Sequence, residues 1–235
     1  MKKSKKIKQF VISLGGSVVC PDEIDENFLK KFRAFVMSQT RRDYKFIIIV
    51  GGGALARKYQ KSGVKIANLT NDDKDWIGIA STCLNAMLVK IILGLKAHPK
   101  ILDSRGAVKG FNKRPIIVGS GWEPGASSDM VAVQAAVDFG VDTVINLGKP
   151  DFVYTANPDK DKTAKPIEKL TWQEYFKIIP KKWIPGLSTP FDPIAGRFAQ
   201  RNNIKVIVAD GKDIPNLAAI LQSRTFRGTT ISNPS

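Results

Sequence analysis

Histidine and cysteine are nearly absent from this chain of 235 residues, which contains one histidine and two cysteines. A catalytic triad or a histidine-rich metal site would depend on His98 alone, and no G-x-S-x-G motif accompanies it. Cys20 and Cys83 lack the close spacing of zinc ligands and fit a reducing compartment. These absences disfavour serine hydrolases and zinc proteins, nominate no metal-ligating residue, and indicate a cytoplasmic location.

Long hydrophobic runs are also absent. The longest is Phe46–Val50, and Lys90 interrupts the apolar stretch 86–95, so no segment approaches the roughly 20 apolar residues of a membrane span. The basic N-terminus is not followed by the apolar core of a signal peptide. With 43% hydrophobic and 25% charged residues, the composition is globular, and we expect a soluble protein with no membrane partner.

Acidic residues are scarce relative to basic ones. The 37 lysines and arginines outnumber 21 acidic residues, which gives a net charge of +16, and residues 2–8 include five lysines. Such a surface attracts nucleic acids or phosphorylated small molecules, although it also serves solubility. Nucleic-acid binding is possible but not favoured, because the four tryptophans are dispersed rather than interleaved with basic residues.

Apolar runs alternate with amphipathic stretches along the whole chain. The runs predict strands at 10–14, 45–50, 114–119, 143–147, 204–209 and 229–232, the last at a sheet edge. The intervening stretches predict a helix capped by Asp25 and others at 54–60, 75–95, 129–139, 172–178, 193–201 and 214–221. This alternation predicts an α/β fold, a three-layer sandwich with a mainly parallel central sheet.

Two of the predicted helices carry further expectations. In the helix at 75–95 we expect an inward face formed by Trp76, Ile79, Ala80, Cys83, Met87 and Leu88. The helix after Asp25 is rich in phenylalanine, so its apolar face could serve an interface as well as the core. Because no linker-like composition interrupts the chain, we expect one domain, 1–235, whose two lobes meet near 140–149.

Three glycine-rich turns each follow a predicted strand and precede a predicted helix. They are Gly15-Gly16-Ser17, Gly51-Gly52-Gly53 and the longer loop 119–128. Glycine lets backbone N–H groups approach a phosphate, and the following helix N-terminus favours an anion, although tight packing also demands glycine. Neither the P-loop motif nor the dinucleotide-binding G-x-G-x-x-G motif is present. The three turns together favour phosphate binding.

These motifs, taken in order, resemble the amino-acid kinase superfamily and, within it, the uridylate (UMP) kinases of the archaeal type. The resemblance covers nearly the whole chain. It rests on the segments 14–17, 50–53 with 56–59, 75–79 with 85–88, 124–129, 151–158, 191–195 and 228–231. It implies an amino-acid kinase-like fold and phosphorylation of UMP by ATP, with Mg²⁺ as cofactor and a homohexamer as assembly.

The resemblance also implies a role for individual residues. The lobe at about 1–140 would bind UMP through Gly52, Asp75, Gly121, Trp122, Gly125, Ser127 and Ser128. The lobe at about 141–235 and the adjoining loops would bind ATP through Gly15, Gly16, Ser17, Gly53, Arg57, Asn146, Tyr154 and Asn157. Catalysis would fall to Arg197, Asp129, Arg57 and Lys149.

The chemistry of the residues supports part of this assignment. Ser127 and Ser128 directly precede a predicted helix, so their hydroxyls and the helix amides could converge on one phosphate. Arg57 lies one helical turn beyond the glycines and offers a planar fork to phosphate oxygens, although it could equally be a solvated helix charge. Asp75 could bind the acceptor or merely cap its helix. Phosphoryl transfer itself requires positioning and charge neutralisation more than covalent chemistry.

The sequence departs from the family where cations are expected. Many members have a lysine two residues before the first glycine, and this chain has Ser13 there. A lysine late in the chain of archaeal-type enzymes corresponds to Arg197, which Lys149 could assist, while Asp129 would orient these cations or help to hold Mg²⁺. Cys83 stands where relatives often have arginine.

Two alternatives remain open from the sequence. Another phosphotransferase of the same superfamily would fit the glycine turns, but an isopentenyl phosphate kinase would need a histidine in the acceptor lobe, and His98 falls in a connector. The other alternative is a non-catalytic protein that binds nucleotides or nucleic acid on the same fold. The absence of lysine at Ser13 and the charge of +16 lend it some support. Catalysis is the preferred interpretation, because no aromatic and basic residues interleave as in a single-strand binding surface.

Overall fold

The architecture of the chain is described by a computed structural model for residues 8–179 and 189–234. The strands are β1 Gln9–Leu14, β2 Lys45–Val50, β3 Ile116–Gly119, β4 Thr143–Gly148, β5 Val153–Tyr154, β6 Pro166–Ile167, β7 Lys169–Thr171, β8 Lys205–Asp210 and β9 Thr229–Ser232. Within these residues seven strands form one sheet in the order β3-β2-β1-β4-β8-β9-β7, and β5 pairs with β6 separately. Only β9 runs antiparallel to a neighbour in the sheet, against β8, so the expectation of a mainly parallel sheet is confirmed.

Helices connect most of the strands. They are α1 Gly16–Val19, α2 Glu26–Thr40, α3 Gly53–Ile66, α4 Asn71–Leu93, α5 Ser128–Asp138, α6 Trp172–Ile178, α7 Pro193–Arg201 and α8 Ile214–Leu221, with a 3₁₀ turn at Gly94–Lys96. The Asp25 side chain accepts a hydrogen bond from the Phe28 N–H (2.9 Å), so the predicted cap of α2 is confirmed. Asp192 caps α7, which has proline at its first position as predicted.

The sheet is covered on both faces because alternate residues of each strand point to opposite sides. On one face Val11, Ile47 and Val206 pack with the buried sides of α5, α6 and α7. On the other, Ile12, Ile48 and Ile207 pack with α1, α2, α4 and α8. The expected three-layer sandwich is therefore confirmed.

The inward face of α4 was predicted only in part, since Ile79, Cys83 and Leu88 are half-buried whereas Trp76, Ala80 and Met87 are exposed. Trp76 is 55% exposed and Met87 is 42% exposed, and the buried positions are instead Ser81, Thr82, Asn85, Ala86, Val89 and Leu93. This helix is apolar on nearly all sides, so hydrophobicity alone does not reveal which side meets the sheet. The side that does meet it has small and polar residues that fit between the sheet and the glycine turns.

Two smaller expectations also need correction. Strand β9 has the predicted bounds but lies between β8 and β7, so the edge strand is β7. In α2, Phe28 and Phe32 are buried in the core, and their rings stack with centroids 5.5 Å apart. The phenylalanine face of α2 is therefore part of the core and is not available to an interface.

Helix α4 and the turn that follows, residues 71–96, are long and apolar enough to cross a membrane, with a mean hydropathy of 1.8 over an 18-residue window. This departs from the expectation that no segment would reach such a length. Length and composition alone are weak evidence for a span, because helices of soluble folds meet the same criterion. Here one side of α4 packs against the sheet through Ala86, Val89 and Leu93.

Candidate functional site

The three glycine turns lie side by side at the carboxyl ends of β1, β2 and β3, which are neighbouring parallel strands. Each turn leads into a helix, namely α1, α3 and α5. At the start of α5 the Ser127 hydroxyl accepts a hydrogen bond from the Met130 N–H (3.2 Å). The carboxyl edge of a parallel sheet is where α/β proteins bind ligands, so this edge is the candidate site.

The first two turns are in direct backbone contact. A Cβ added to Gly16 would lie 2.0 Å from the Gly53 nitrogen, and one added to Gly51 would lie 2.6 Å from the Gly16 nitrogen. Gly53 also has φ of +65°, a conformation that side chains disfavour. The Asn85 amide donates to the carbonyl oxygens of Gly51 (2.9 Å) and Gly52 (3.1 Å). Packing between the turns thus explains these glycines, so the glycines alone do not indicate a ligand. The cavities beside the turns show where a ligand could bind.

A small cavity of about 180 Å³ opens beside the second and third turns. Six of the predicted nucleotide-binding residues line it: Gly52, Gly53, Asp75, Gly121, Ser127 and Ser128. Two hydrogen bonds donated by backbone N–H groups fix their arrangement. The Gly125 N–H donates to the Asp75 carboxylate (2.8 Å), and the Gly121 N–H donates to the Thr82 hydroxyl (2.8 Å). The cavity therefore has serine hydroxyls and a helix N-terminus on one side and a carboxylate on the other.

Two predicted UMP-binding residues do not line this cavity. The Trp122 indole N–H donates to the Leu102 carbonyl oxygen (3.0 Å), which points the ring toward the core. Gly125 contributes through its N–H to Asp75 and has φ of +80°. Gly78 and Thr82 of α4, which the sequence motifs did not indicate as cavity residues, also line the cavity, together with Ile79, which was expected to face inward. Glycine and threonine add little to a hydrophobic pattern, so that pattern gave no signal for Gly78 and Thr82.

A larger cavity of about 570 Å³ lies beyond the carboxyl end of β4. Lys149, Tyr154 and Asn157 line it as expected for the nucleotide donor, together with Asp151, Asp159 and Asp210, which were not predicted. The Tyr154 hydroxyl donates to Asp151 (2.8 Å), and this hydrogen bond raises the pKa of Tyr154. Asn146, which was also predicted to bind ATP, does not line this cavity. Its amide donates to the carbonyl oxygen of Pro190, which does (2.9 Å).

Asp129 links the walls of the two cavities. It follows Ser127 and Ser128 of the small cavity, and its carboxylate accepts hydrogen bonds from the Ser13 hydroxyl (2.9 Å) and from the Asp192 N–H (3.1 Å). Asp192 in turn follows Pro190, which lines the large cavity. Burial raises the pKa of Asp129 to about 6, against the lowering effect of the two hydrogen bonds. A proton-sensitive carboxyl group therefore joins the two sides of the site.

The remaining predicted residues lie outside both cavities. Gly15, Gly16 and Ser17 form the turn after β1, where the Gly15 N–H donates to the Leu147 carbonyl oxygen (2.8 Å). Arg57 is exposed on α3, and its guanidinium donates to the Pro21 carbonyl oxygen (3.3 Å). Arg197 is exposed on α7, with its guanidinium 5.6 Å from the centre of the Phe176 ring. Neither arginine points into a cavity in this conformation.

Comparisons with known proteins give the same fold and family as the sequence motifs. A model of the amino acid kinase family matches residues 8–210. The uridylate kinase of Pyrococcus abyssi is 32% identical over 225 residues, which is 95% of this chain and 99% of the relative. That of Methanospirillum hungatei is 33% identical over 227 residues, 94% of each chain. The crystal structure of uridylate kinase from Archaeoglobus fulgidus has a TM-score of 0.79 and 28% identity, covering 96% of this chain and 100% of that one.

Proposed function

The chain belongs to the amino acid kinase family, and from that premise we propose that it is an ATP-dependent uridylate kinase, which transfers the γ-phosphate of ATP to UMP. The observation that carries the proposal is the pair of cavities at one sheet edge, whose walls meet at Asp129. The uridylate kinases from Pyrococcus and Methanospirillum are similar to this chain over nearly their full length. The proposal includes a cytoplasmic location, where the reducing environment suits the two unpaired cysteines.

UMP occupies the small cavity in this proposal. Ser127, Ser128 and the N-terminus of α5 would bind its phosphate, since hydroxyls and helix amides there face the cavity. The Asp75 carboxylate would accept hydrogen bonds from the ribose hydroxyls rather than lie beside the phosphate, because two negative charges at close range repel each other. Arg57, one turn beyond Gly53, would turn from Pro21 toward the phosphates once they are bound.

ATP occupies the large cavity, at the far side of Asp129. Its volume of about 570 Å³ is within the range of small-molecule sites and exceeds the roughly 180 Å³ of the small cavity, so the larger of the two nucleotides is assigned to it. Tyr154 and Asn157 would border the adenosine, and Lys149 would neutralise phosphate charge, as the one basic residue among those that line either cavity in the described chain. The glycine turn after β1 would adjoin the triphosphate.

Magnesium fits the residues present. In the described residues no cluster of three or more possible metal-ligating side chains exists, but Mg²⁺ in kinases needs only one or two carboxylates besides the phosphates and water. Asp129 is the carboxylate that would hold it, and the ion would supply charge neutralisation for the transferred group. Arg197 remains a proposed catalytic cation, which has to leave the Phe176 ring to act.

Self-association completes the proposal, as dimers that assemble into a hexamer. Along α4 four apolar side chains are exposed at helical spacing, and a fifth is exposed in the 3₁₀ turn that follows: Trp76, Leu84, Met87 and Ile91 in the helix, and Leu95 in the turn. This set, the α4 stripe, gives one helix face that a second copy of the same chain would cover by a two-fold pairing. It replaces the phenylalanine face of α2, which the core has already buried.

The rival functions have less support. Isopentenyl phosphate kinase would need a histidine at the acceptor cavity, and His98 lies at the opposite end of β3, where its N–H donates to the Ile116 carbonyl oxygen (2.7 Å). A non-catalytic nucleotide-binding role does not account for two cavities that meet at one buried carboxyl group. Uridylate kinase activity accounts for both.

The test is a measurement of ADP formation with UMP, CMP, AMP and isopentenyl phosphate offered in parallel, with and without Mg²⁺. We expect UMP to be the preferred acceptor and Mg²⁺ to be required. Asp75→Asn should raise the KM for UMP, while Asp72→Asn, a change of the same kind in the same helix turn but outside the cavity, should not. Absence of turnover with all four acceptors would overturn the proposal.

A further inference from the structure

The edge of the sheet opposite the nucleotide cavities is strongly basic. Parallel strands begin at a common edge, and in the order β3-β2-β1-β4-β8 five strands do so here. Six cations lie at or just before their first residues, and we call this set the basic edge: Lys8, Arg41, Arg42, Lys45, Lys113 and Lys205. Five of the six are exposed and Lys45 is half-buried. The chain also continues from Lys8 toward its N-terminus through four further lysines.

Few carboxylates balance these cations. At the starts of the five strands the acidic residues are Asp43 and Asp142, and the Asp142 carboxylate accepts a hydrogen bond from the Thr143 hydroxyl (2.8 Å). In the described part of the chain none of the six cations forms an ion pair. By contrast, Asp25, Asp192 and Asp213 cap helices at the other edge. The excess of cations at the basic edge is therefore separated from these capping carboxylates, of which Asp25 is itself paired with Lys212 (2.5 Å).

The separation exceeds what helix dipoles require. Cations are favoured at helix C-termini, and Arg41 follows α2 for that reason. Lys8, Lys45 and Lys205 instead begin strands, which have no comparable dipole. Among the residues that the structure describes, no carboxylate forms an ion pair with these three lysines, so their charge can attract an external anion.

The spacing of the basic edge fits a row of phosphates. Neighbouring strands are about 4.8 Å apart, so the row from β3 to β8 spans roughly 19 Å. Four of its five strands contribute cations, and β4, which begins after Asp142, contributes none. A nucleic-acid strand has one phosphate per about 3.4 Å, so five or six phosphates fall within that length. The aromatic rings at the edge are covered rather than presented, since the Lys8 ammonium lies 5.8 Å from the Tyr44 ring centre and that of Lys45 lies 4.9 Å from the Phe111 ring centre.

We propose that the basic edge binds double-stranded nucleic acid through its phosphate backbone, independently of the kinase site. Covered aromatic rings leave no platform on which unpaired bases could stack, which favours a duplex over a single strand. A membrane surface would need apolar groups that insert between lipids. The exposed apolar residues of the α4 stripe would be covered in the proposed dimer. Binding is therefore electrostatic and without base specificity.

The experiment measures binding of a labelled 30-base-pair duplex by fluorescence anisotropy across a series of salt concentrations. The test variant is Arg41→Glu/Arg42→Glu/Lys113→Glu. The control is Lys31→Glu/Lys169→Glu/Lys177→Glu, which changes the net charge equally at exposed positions away from the edge. Each lost phosphate contact lowers the slope of log K against log salt by about 0.9, so we expect a slope lower by nearly three and an affinity at least about tenfold weaker for the test variant alone. Turnover of UMP should stay unchanged in both.

Three results would overturn the proposal. Absence of duplex binding by the wild type at low salt would do so directly. Equal weakening in the two variants would assign the binding to net charge rather than to this edge. Binding to phosphatidylserine vesicles, lost in the test variant and without binding to the duplex, would assign the edge to a membrane. Because kinase turnover is followed in parallel, loss of duplex binding is distinguishable from failure of the kinase assignment or of folding.

Discussion

At the scale of single residues, Asp129 has the strongest consequence for pH. Burial raises the pKa of its carboxyl group to about 6 in the folded protein, whereas the group would titrate near 3.9 in an unfolded chain. The folded state therefore binds this proton more tightly. Burying the ionised form destabilises the fold above pH 6, and that cost is relieved as the pH falls through 6.

We expect Asp129→Asn to remove this pH dependence. Between pH 7 and pH 5 the wild type should gain about 1 kcal/mol of unfolding free energy from this group, and the variant should not. Urea unfolding at the two pH values measures the difference. In turnover the wild type should lose kcat below about pH 6, where the carboxyl group becomes protonated, and the variant should be slow throughout. An acid limb of kcat unchanged by Asp129→Asn would contradict this role.

Arg197 supplies the second prediction at this scale. If it neutralises charge as the phosphate moves, Arg197→Ala should lower kcat by about 10³–10⁵ with little effect on the KM values. Arg197→Lys should retain part of the rate, since charge is kept and the planar fork is lost. Arg201→Ala, one turn further along α7, is the control and should behave like the wild type. A near-normal kcat for Arg197→Ala would show that Arg197 has no catalytic role and only packs against the Phe176 ring.

The sequence revealed the residue types of the site better than their partners. Ser127 and Ser128 were identified because they directly precede a helix in a glycine-rich loop, a local pattern. Asp75, which lies in α4 beyond its first turn, was assigned through the family resemblance alone. The hydrogen bond from Ser13 to Asp129 joins residues 116 positions apart, and no local pattern indicates such a contact. The same limit applies to Arg57 and Arg197, since the direction of a long exposed side chain depends on partners such as Pro21 and Phe176.

At the scale of elements, the cap of α7 connects stability to the ATP cavity. The Asp192 carboxylate accepts hydrogen bonds from the N–H groups of Ile194 (2.6 Å) and Ala195 (2.9 Å). Its own N–H is held by Asp129, and Pro190 beside it lines the cavity. Helix α8 has an equivalent cap, Asp213, which accepts a hydrogen bond from the Asn216 N–H (2.9 Å) but lines neither cavity.

The two caps therefore make a matched pair of variants. We expect Asp192→Ala and Asp213→Ala each to lower the unfolding free energy by about 1 kcal/mol, the usual loss for a removed cap. Asp192→Ala should raise the KM for ATP more than Asp213→Ala. Asp192 is held to Asp129, whereas Asp213 contacts the cavity wall only through the hydrogen bond from its N–H to the Asp210 carbonyl oxygen (3.4 Å). Chemical denaturation and steady-state kinetics measure the two effects. Similar KM values for both variants would disprove the link between α7 and the cavity.

Elements with a strong local signal were predicted well. Strand β2, helices α6, α7 and α8 and strand β9 have the predicted bounds, since apolar runs and caps define them locally. Helix α4 was found but its inward face was predicted only in part, because it is apolar on its outer side as well. Strand β7 was missed because three residues, Lys169–Thr171, are too few to show a period.

At the scale of the whole molecule, the order of the strands lay beyond the sequence. Alternation predicts parallel strands, but the insertion of β9 between β8 and β7 depends on backbone pairing far along the chain. The division into lobes at about 140–149 remains a prediction, since one continuous sheet runs through both.

The α4 stripe provides the prediction for this scale. Leu84→Glu/Ile91→Glu should convert the assembly to smaller species, because a carboxylate buried in an apolar interface would lose its hydration without a partner. Ile194→Glu, at an exposed apolar residue on α7, is the control and should leave the assembly intact. Light scattering at micromolar concentration measures both. A wild type that is strictly monomeric would remove the stripe from consideration as an interface.

The contact between the first two glycine turns has a further consequence, for how the enzyme can move. Gly16 and Gly53 touch through their backbones, and Asn85 fastens the second turn to α4. The ends of β1 and β2 are thereby held in direct backbone contact, and no side chain lies between them that could allow one to move against the other. Any closure over the two nucleotides would therefore have to pivot elsewhere, for example in the loop before α5. The distance between donor and acceptor would then depend on that loop, while the two joined turns keep their relative position.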